Sequence, residues 1–166
     1  MQEKEIKYDL DSNDILTDAL MELLNQFPRI QDGDSIEFST LDAEYGKAMY
    51  PISGALVETE STDITGEVTQ VCRYPFFVVS RISSTSEQRK VKAKEWLDDL
   101  GRWLERQPIL VDDTQFQLSE YPSISGRRRF LTIERQTPAY LDNTNDNKTE
   151  DWAIYITARY SNEFTR

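Results

Sequence analysis

From Asp11 to Gln26 the apolar residues Ile15, Leu16, Ala19, Leu20, Leu23 and Leu24, with Phe27 just beyond, recur every three or four positions. That spacing predicts an amphipathic helix with one stripe turned to a core. Asp11, Ser12 and Asn13 offer oxygens to the first free amides, Asp14 and Asp18 suit the positive end of the helix dipole, and Pro28 closes the far end. Gln31-Asp32-Gly33-Asp34 then reads as a turn, and Ser35-Ile36-Glu37-Phe38-Ser39 alternates as a half-buried strand does.

Between residues 41 and 66 the periodicity breaks at Tyr45-Gly46, Tyr50-Pro51 and Ser53-Gly54. An exposed irregular loop is expected there, mobile over 41–53, leading into a hairpin whose first arm starts near Ala55 to Thr59. Asp63 and Gly66 mark its turn. The second arm, Glu67 to Arg81, is too rich in Val, Tyr and Phe for a helix, with Pro75 at a bulge or an edge position. Ser84 followed by Glu87 forms a capping box, and Ala93, Trp96, Leu97, Leu100, Trp103 and Leu104 mark the apolar face of a second helix ending at Gln107-Pro108. Strands are expected at Gln115 to Glu120, Arg129 to Gln136 and Trp152 to Tyr160, with a polar loop from Leu141 to Asp151. The order α-β-β-β-α-β-β-β, without regular βαβ alternation, implies an α+β domain in which two helices cover one face of a mostly antiparallel sheet.

Composition agrees with one domain spanning 1–166. A chain of 166 residues, 38% hydrophobic, with three Trp, eight Tyr and seven Phe, carries enough apolar area for one core. The N-terminus MQEKEIKYDL has no apolar run, so neither a signal peptide nor a membrane anchor is expected. The single cysteine, Cys72, cannot form an internal disulfide and reads as a buried thiol in a reducing compartment. Thirty acids against nineteen bases give a formal charge of −11, which repels nucleic-acid backbones. The surplus fits plain solubility, or a surface that lets DNA pass without holding it.

No histidine is present, which removes the commonest general base and most transition-metal sites. No phosphate-binding loop, dinucleotide fingerprint or nucleophile elbow occurs either, so no cofactor is expected. A carboxylate pair working on a glycoside stays formally open. Asp142, Thr144 and Asp146 imitate the start of a calcium loop, but Asn147 stands where the turn glycine belongs and Ala153 where the bidentate acid belongs. Asn147-Lys148-Thr149 reads as a chance glycosylation sequon. Arg127, Arg128 and Arg129 read either as a charged turn that keeps a sheet edge soluble or as a basic spot that pairs with acids of a neighbouring copy. Trp96 and Trp103 fit the core stripe, or one of them faces a partner. Tyr45, Met49 and Tyr50, expected in a loop, are candidate partner contacts.

Gly66, Val71, Arg73, Tyr74, Pro75, Phe76, Phe77 and Ser80-Arg81, followed by Arg89, Ala93, Trp96, Leu97, Leu100 and Trp103, resemble a family of Gram-positive tailed phages. Its members are labelled minor capsid, minor structural or tail-terminator proteins. The opening helix and the turn at Gln31-Asp32-Gly33-Asp34 resemble the family's start, so that the likeness spans roughly residues 11 to 160. It implies a tail-terminator-like sandwich made in the host cytoplasm and built into the virion, at the tail end next to the head. There copies would form a homo-oligomeric ring, a hexamer, that caps the tail tube protein and meets the head-tail connector protein. DNA would pass through the lumen without specific binding, and no membrane is involved. A head-closure or neck protein is the alternative in the same virion. A small carboxylate-dependent enzyme or a host binding module is the alternative outside it.

Overall fold

The computed structural model describes residues 5–30, 34–83, 86–124 and 126–166. A 3₁₀ turn at Leu10–Ser12 leads into α1 (Asn13–Leu24). Four strands follow: β1 (Ile36–Phe38), β2 (Gly46–Pro51), β3 (Leu56–Thr62) and β4 (Glu67–Ile82). After α2 (Glu87–Leu104) come β5 (Ile109–Val111), β6 (Thr114–Phe116), β7 (Arg128–Arg135), β8 (Tyr140–Thr144) and β9 (Glu150–Thr165).

The long strands β4 and β9 form the spine, antiparallel from Glu67 opposite Thr165 to Ile82 opposite Glu150. Each passes its outer edge from one partner to another. β3 lies along Val68 to Arg73 and β2 along Phe76 to Arg81, while β7 lies along Ile156 to Asn162 and β8 along Glu150 to Ala153. β1 joins β2 in parallel, and β5 and β6 make a separate two-stranded ribbon. Pro75 sits where β4 changes partner from β3 to β2, and its carbonyl accepts from the Ile52 amide at 3.2 Å. Because the N and O of one strand residue point the same way, its missing N–H falls in that gap and no rung to β9 is lost.

Alternation sorts the spine into two faces. Cys72, Tyr74, Phe76 and Val78 of β4, with Ile154, Ile156, Ala158 and Tyr160 of β9, form one core with Leu16, Leu20, Leu23 and Leu24 of α1 and Trp96, Leu97, Leu100 and Leu104 of α2. Both helices therefore cover the same face. Thr17 of α1 hydrogen-bonds the Tyr74 hydroxyl at 3.3 Å. Phe27 meets Trp96 edge-on at 5.1 Å and Trp103 at 5.6 Å, so both tryptophans belong to the core. This is the α+β fold the hydrophobic pattern predicts.

The differences are in the connections. Ser86 caps α2, its hydroxyl accepting from the Arg89 amide at 3.3 Å; Ser84, expected in a capping box, lies outside the described residues, as does the Gln31-Asp32-Gly33 turn. The expected loop over 41–53 contains β2, and the expected loop from Leu141 to Asp151 is the hairpin of β8 and β9. The strand expected at Gln115 to Glu120 is the shorter β6, folded back on β5 through Asp112 and Asp113 with positive φ of 49° and 67°. That is the two-residue turn whose twist suits a hairpin.

Candidate functional site

The face of the sheet away from the helices is built from the other register. Ala48, Val79 and Ala153 form one row across β2, β4 and β9, and Tyr50, Phe77 and Tyr155 form the next. The small row is buried, while the aromatic row is half-exposed, with the Phe77 and Tyr155 rings 5.3 Å apart. Tyr140 of β8 stands opposite Ala153. Burial raises the Tyr50 and Tyr140 pKa values, so both stay neutral phenols at physiological pH. Neither helix covers this face.

One end of the face is closed by charge. Arg81 grips Asp151 through two hydrogen bonds of 2.7 and 3.0 Å and donates a third to the Asp42 carbonyl at 3.0 Å. The Asn147 amide donates to the Ala43 carbonyl at 2.9 Å, which ties the β8–β9 turn to the loop before β2. Between them lies a cleft of about 250 Å³ lined by Leu41, Tyr50, Phe77, Val79, Arg81, Asp142 and Asp151. Further along, Arg73 and Arg159 stand directly opposite each other and share Glu58, at 3.8 and 3.3 Å. Like charges facing across a ladder repel. Arg129, opposite Ser161 on the same face, is exposed and has no ion-pair partner among the described residues.

The run Arg127-Arg128-Arg129 is therefore not one basic spot, because strand alternation divides it. Arg127 pairs with Glu67 and with Glu163, the latter at 3.6 Å. Arg128 turns to the helix side, where its Nε and one terminal nitrogen each lie 2.9 Å from the Asp9 carboxylate, and its side chain is 12% exposed. As a partner contact it is corrected to an internal tie. Met49 is corrected likewise: it lies on β2 and is wholly buried in the core. Tyr45 is 63% exposed beside a cleft of about 730 Å³ that also takes in Asp34, Glu37, Lys47 and Arg81. Tyr50 joins the aromatic row.

Residue patterning passes over β5, the first strand of the β5–β6 ribbon. All three residues of β6 are exposed, and Leu110 and Phe116, on opposite sides of the ribbon, are 68% and 38% exposed, while Val111 packs half-buried against the core. Ile109, 4% exposed, anchors its base in the core. The apolar triplet Ile109-Leu110-Val111 before Asp112-Asp113 was the available signal.

Among the described residues no group of three His, Cys, Asp or Glu side chains is placed to hold a metal ion. Burial pushes the Cys72 thiol up to about 11, so it is protonated at neutral pH and a poor nucleophile. No described helix is long and apolar enough to cross a membrane.

No family model and no curated protein matches the chain. Its fold is similar to that of a chain in the virion of a native gene transfer agent particle. The TM-score is 0.51 at 13% identity, and the match covers 88% of this chain and 97% of that one. At that identity the likeness establishes a shared fold.

Proposed function

We propose that this protein is a structural component of a phage-like virion, acting as a tail terminator. Copies form a ring that caps the tail tube and joins it to the head connector. The observation that carries the reading is the fold shared over 88% of the chain with a virion chain. The surface supports it, because an uncovered aromatic sheet face and the exposed strand β6 are two different patches of one subunit. Contacts between unlike patches close into a ring when the rotation permits. Tyr45, Tyr50, Arg127 and Arg129 are the contact candidates that remain exposed or half-exposed. The charge of −11 favours a lumen through which DNA slides. Deleting the gene and imaging lysates by electron microscopy tests the role. Filled heads beside unjoined tubes of abnormal length are expected. Uniform, joined virions contradict termination, and joined virions with empty heads point to head closure.

A further inference from the structure

We infer that the outer edge of the segment before α1, at Tyr8, is a docking edge for an extended strand of a different virion protein, apolar at its centre and neutral or basic at its ends. The inference rests on the virion reading and names a contact that holds the subunit in the particle. Main-chain geometry selects the kind of occupant. Tyr8 pairs antiparallel with Leu56 of β3, and its neighbours make the two hydrogen bonds that frame the pair: the Val57 amide donates to the Lys7 carbonyl and the Asp9 amide to the Ala55 carbonyl. In such a pair the N–H and C=O of the middle residue point away from the ladder. Those of Tyr8 meet no partner among the described residues. An added strand satisfies the donor and the acceptor of one residue together.

Side chains define that strand further. Native sheet edges are blunted by charge or proline, and this one is not. Ile6, Tyr8 and Leu10 are exposed, and Tyr8 and Leu10 line a cleft of about 540 Å³ with Pro51, Ile52 and Ala55 that suits an apolar side chain. The charges between them are engaged within the subunit, Lys7 with Glu60 at 3.3 Å and Asp9 with Arg128. Glu5 and Asp11 stay exposed at the two ends, which favours a partner neutral or basic there. The edge is also preorganised, because Arg128 and Tyr160 hold Asp9 and so fix a segment whose apolar side chains all face solvent.

Among the described strands a second copy offers no match. β1, β3 and β8 carry Glu37, Glu60 and Asp142, and the β5–β6 ribbon runs into Asp112-Asp113. β7 has an apolar centre, but its amides at Ile133 and Arg135 already donate to the Tyr121 hydroxyl and the Glu105 carboxylate. Two copies of the segment paired about Tyr8 would set Glu5 against Asp11, like charges that repel.

The test is hydrogen exchange with mass spectrometry on the free full chain and on purified particles. It is joined to a count of Tyr8→Pro and Tyr8→Val chains built into particles, with circular dichroism to confirm folding. Tyr8→Pro removes the outward N–H and keeps the Lys7 carbonyl and the Asp9 amide, while Tyr8→Val keeps all three. The Tyr8 amide is expected to exchange freely in the free chain and at least tenfold more slowly in particles. Folded Tyr8→Pro should be incorporated at least tenfold less than wild type, and Tyr8→Val nearly as well as wild type. Equal exchange in both states, or folded Tyr8→Pro incorporated like wild type, overturns the docking and leaves the virion reading in place. The exchange measurement decides even where Tyr8→Pro does not fold. Protection that appears in the free chain on concentration assigns the edge to a second copy and overturns the choice of partner. Wild type absent from particles removes the virion reading and this contact together.

Discussion

Asp9 and Arg128, 119 residues apart in sequence, share two hydrogen bonds of 2.9 Å, and the Tyr160 hydroxyl donates a third to the same carboxylate at 2.7 Å. The segment before α1 is thereby fastened to β7 and β9. The Asp9 amide donates to the Ala55 carbonyl at 2.8 Å and the Val57 amide to the Lys7 carbonyl at 2.9 Å, so the segment also runs as an extra rung on β3. Removing one ion leaves the other buried and unpaired. Arg128→Ala is expected to destabilise by about 3–5 kcal/mol in a urea titration, with Asp9→Ala similar. A double replacement by apolar residues of like volume should cost less than either single change, which separates a buried-charge effect from simple loss of contact.

The same pair sets a pH dependence. Burial works to raise the Asp9 pKa, but hydrogen bonds from Arg128 and Tyr160 carry it below the usual carboxylate value. Hydrogen bonding from Arg81 does the same for Asp151 against burial. A carboxyl whose pKa is lower folded than unfolded contributes stability that is fully present above the unfolded value, about 3.9, and is lost as pH falls through the folded value. Stability should therefore hold near neutrality and fall on acidification below about pH 4. Asp9→Asn should flatten that fall in denaturant titrations across pH.

Gly66 is held at φ 87° in the β3–β4 turn, and a Cβ there would stand 2.9 Å from the Arg166 carbonyl oxygen. The Arg166 amide in turn donates to the Gly66 carbonyl at 2.9 Å, so the turn and the end of β9 are clasped. Gly66→Ala should cost about 1–3 kcal/mol through left-handed strain and the crowded carbonyl. Thermal melts check it, and deletion of Arg166 should relieve part of the loss.

Leu100 is fully buried between α2 and the sheet, whereas Val91 on the same helix is 53% exposed. Leu100→Ala should cost about 2–5 kcal/mol as a core truncation. Val91→Ala should stay within about 0.5 kcal/mol. Equal effects in denaturant titrations would mean the helix presents another face.

Elements whose own side chains carry the packing were readable in sequence. The α1 stripe and the alternation from Trp152 to Tyr160 in β9 place their core residues correctly, and the Val, Tyr and Phe content of β4 marks it as a strand. β2 was hidden because Ala48 and Met49 are both buried, one on each side of the sheet, which erases alternation. β8 was hidden because its side chains are mostly exposed and its strand exists through pairing with β9. The three-arginine run misled for a related reason. Adjacency in a strand means opposite faces, and the carboxylate that claims Arg128 lies at the other end of the chain.

The central claim, that this protein is built into a virion, is tested most directly by locating it in purified particles. Immunogold electron microscopy, with mass spectrometry of the same preparation, is expected to find it in every particle, with label confined to the junction of head and tail. Particles that are complete and joined yet lack the protein would contradict the account.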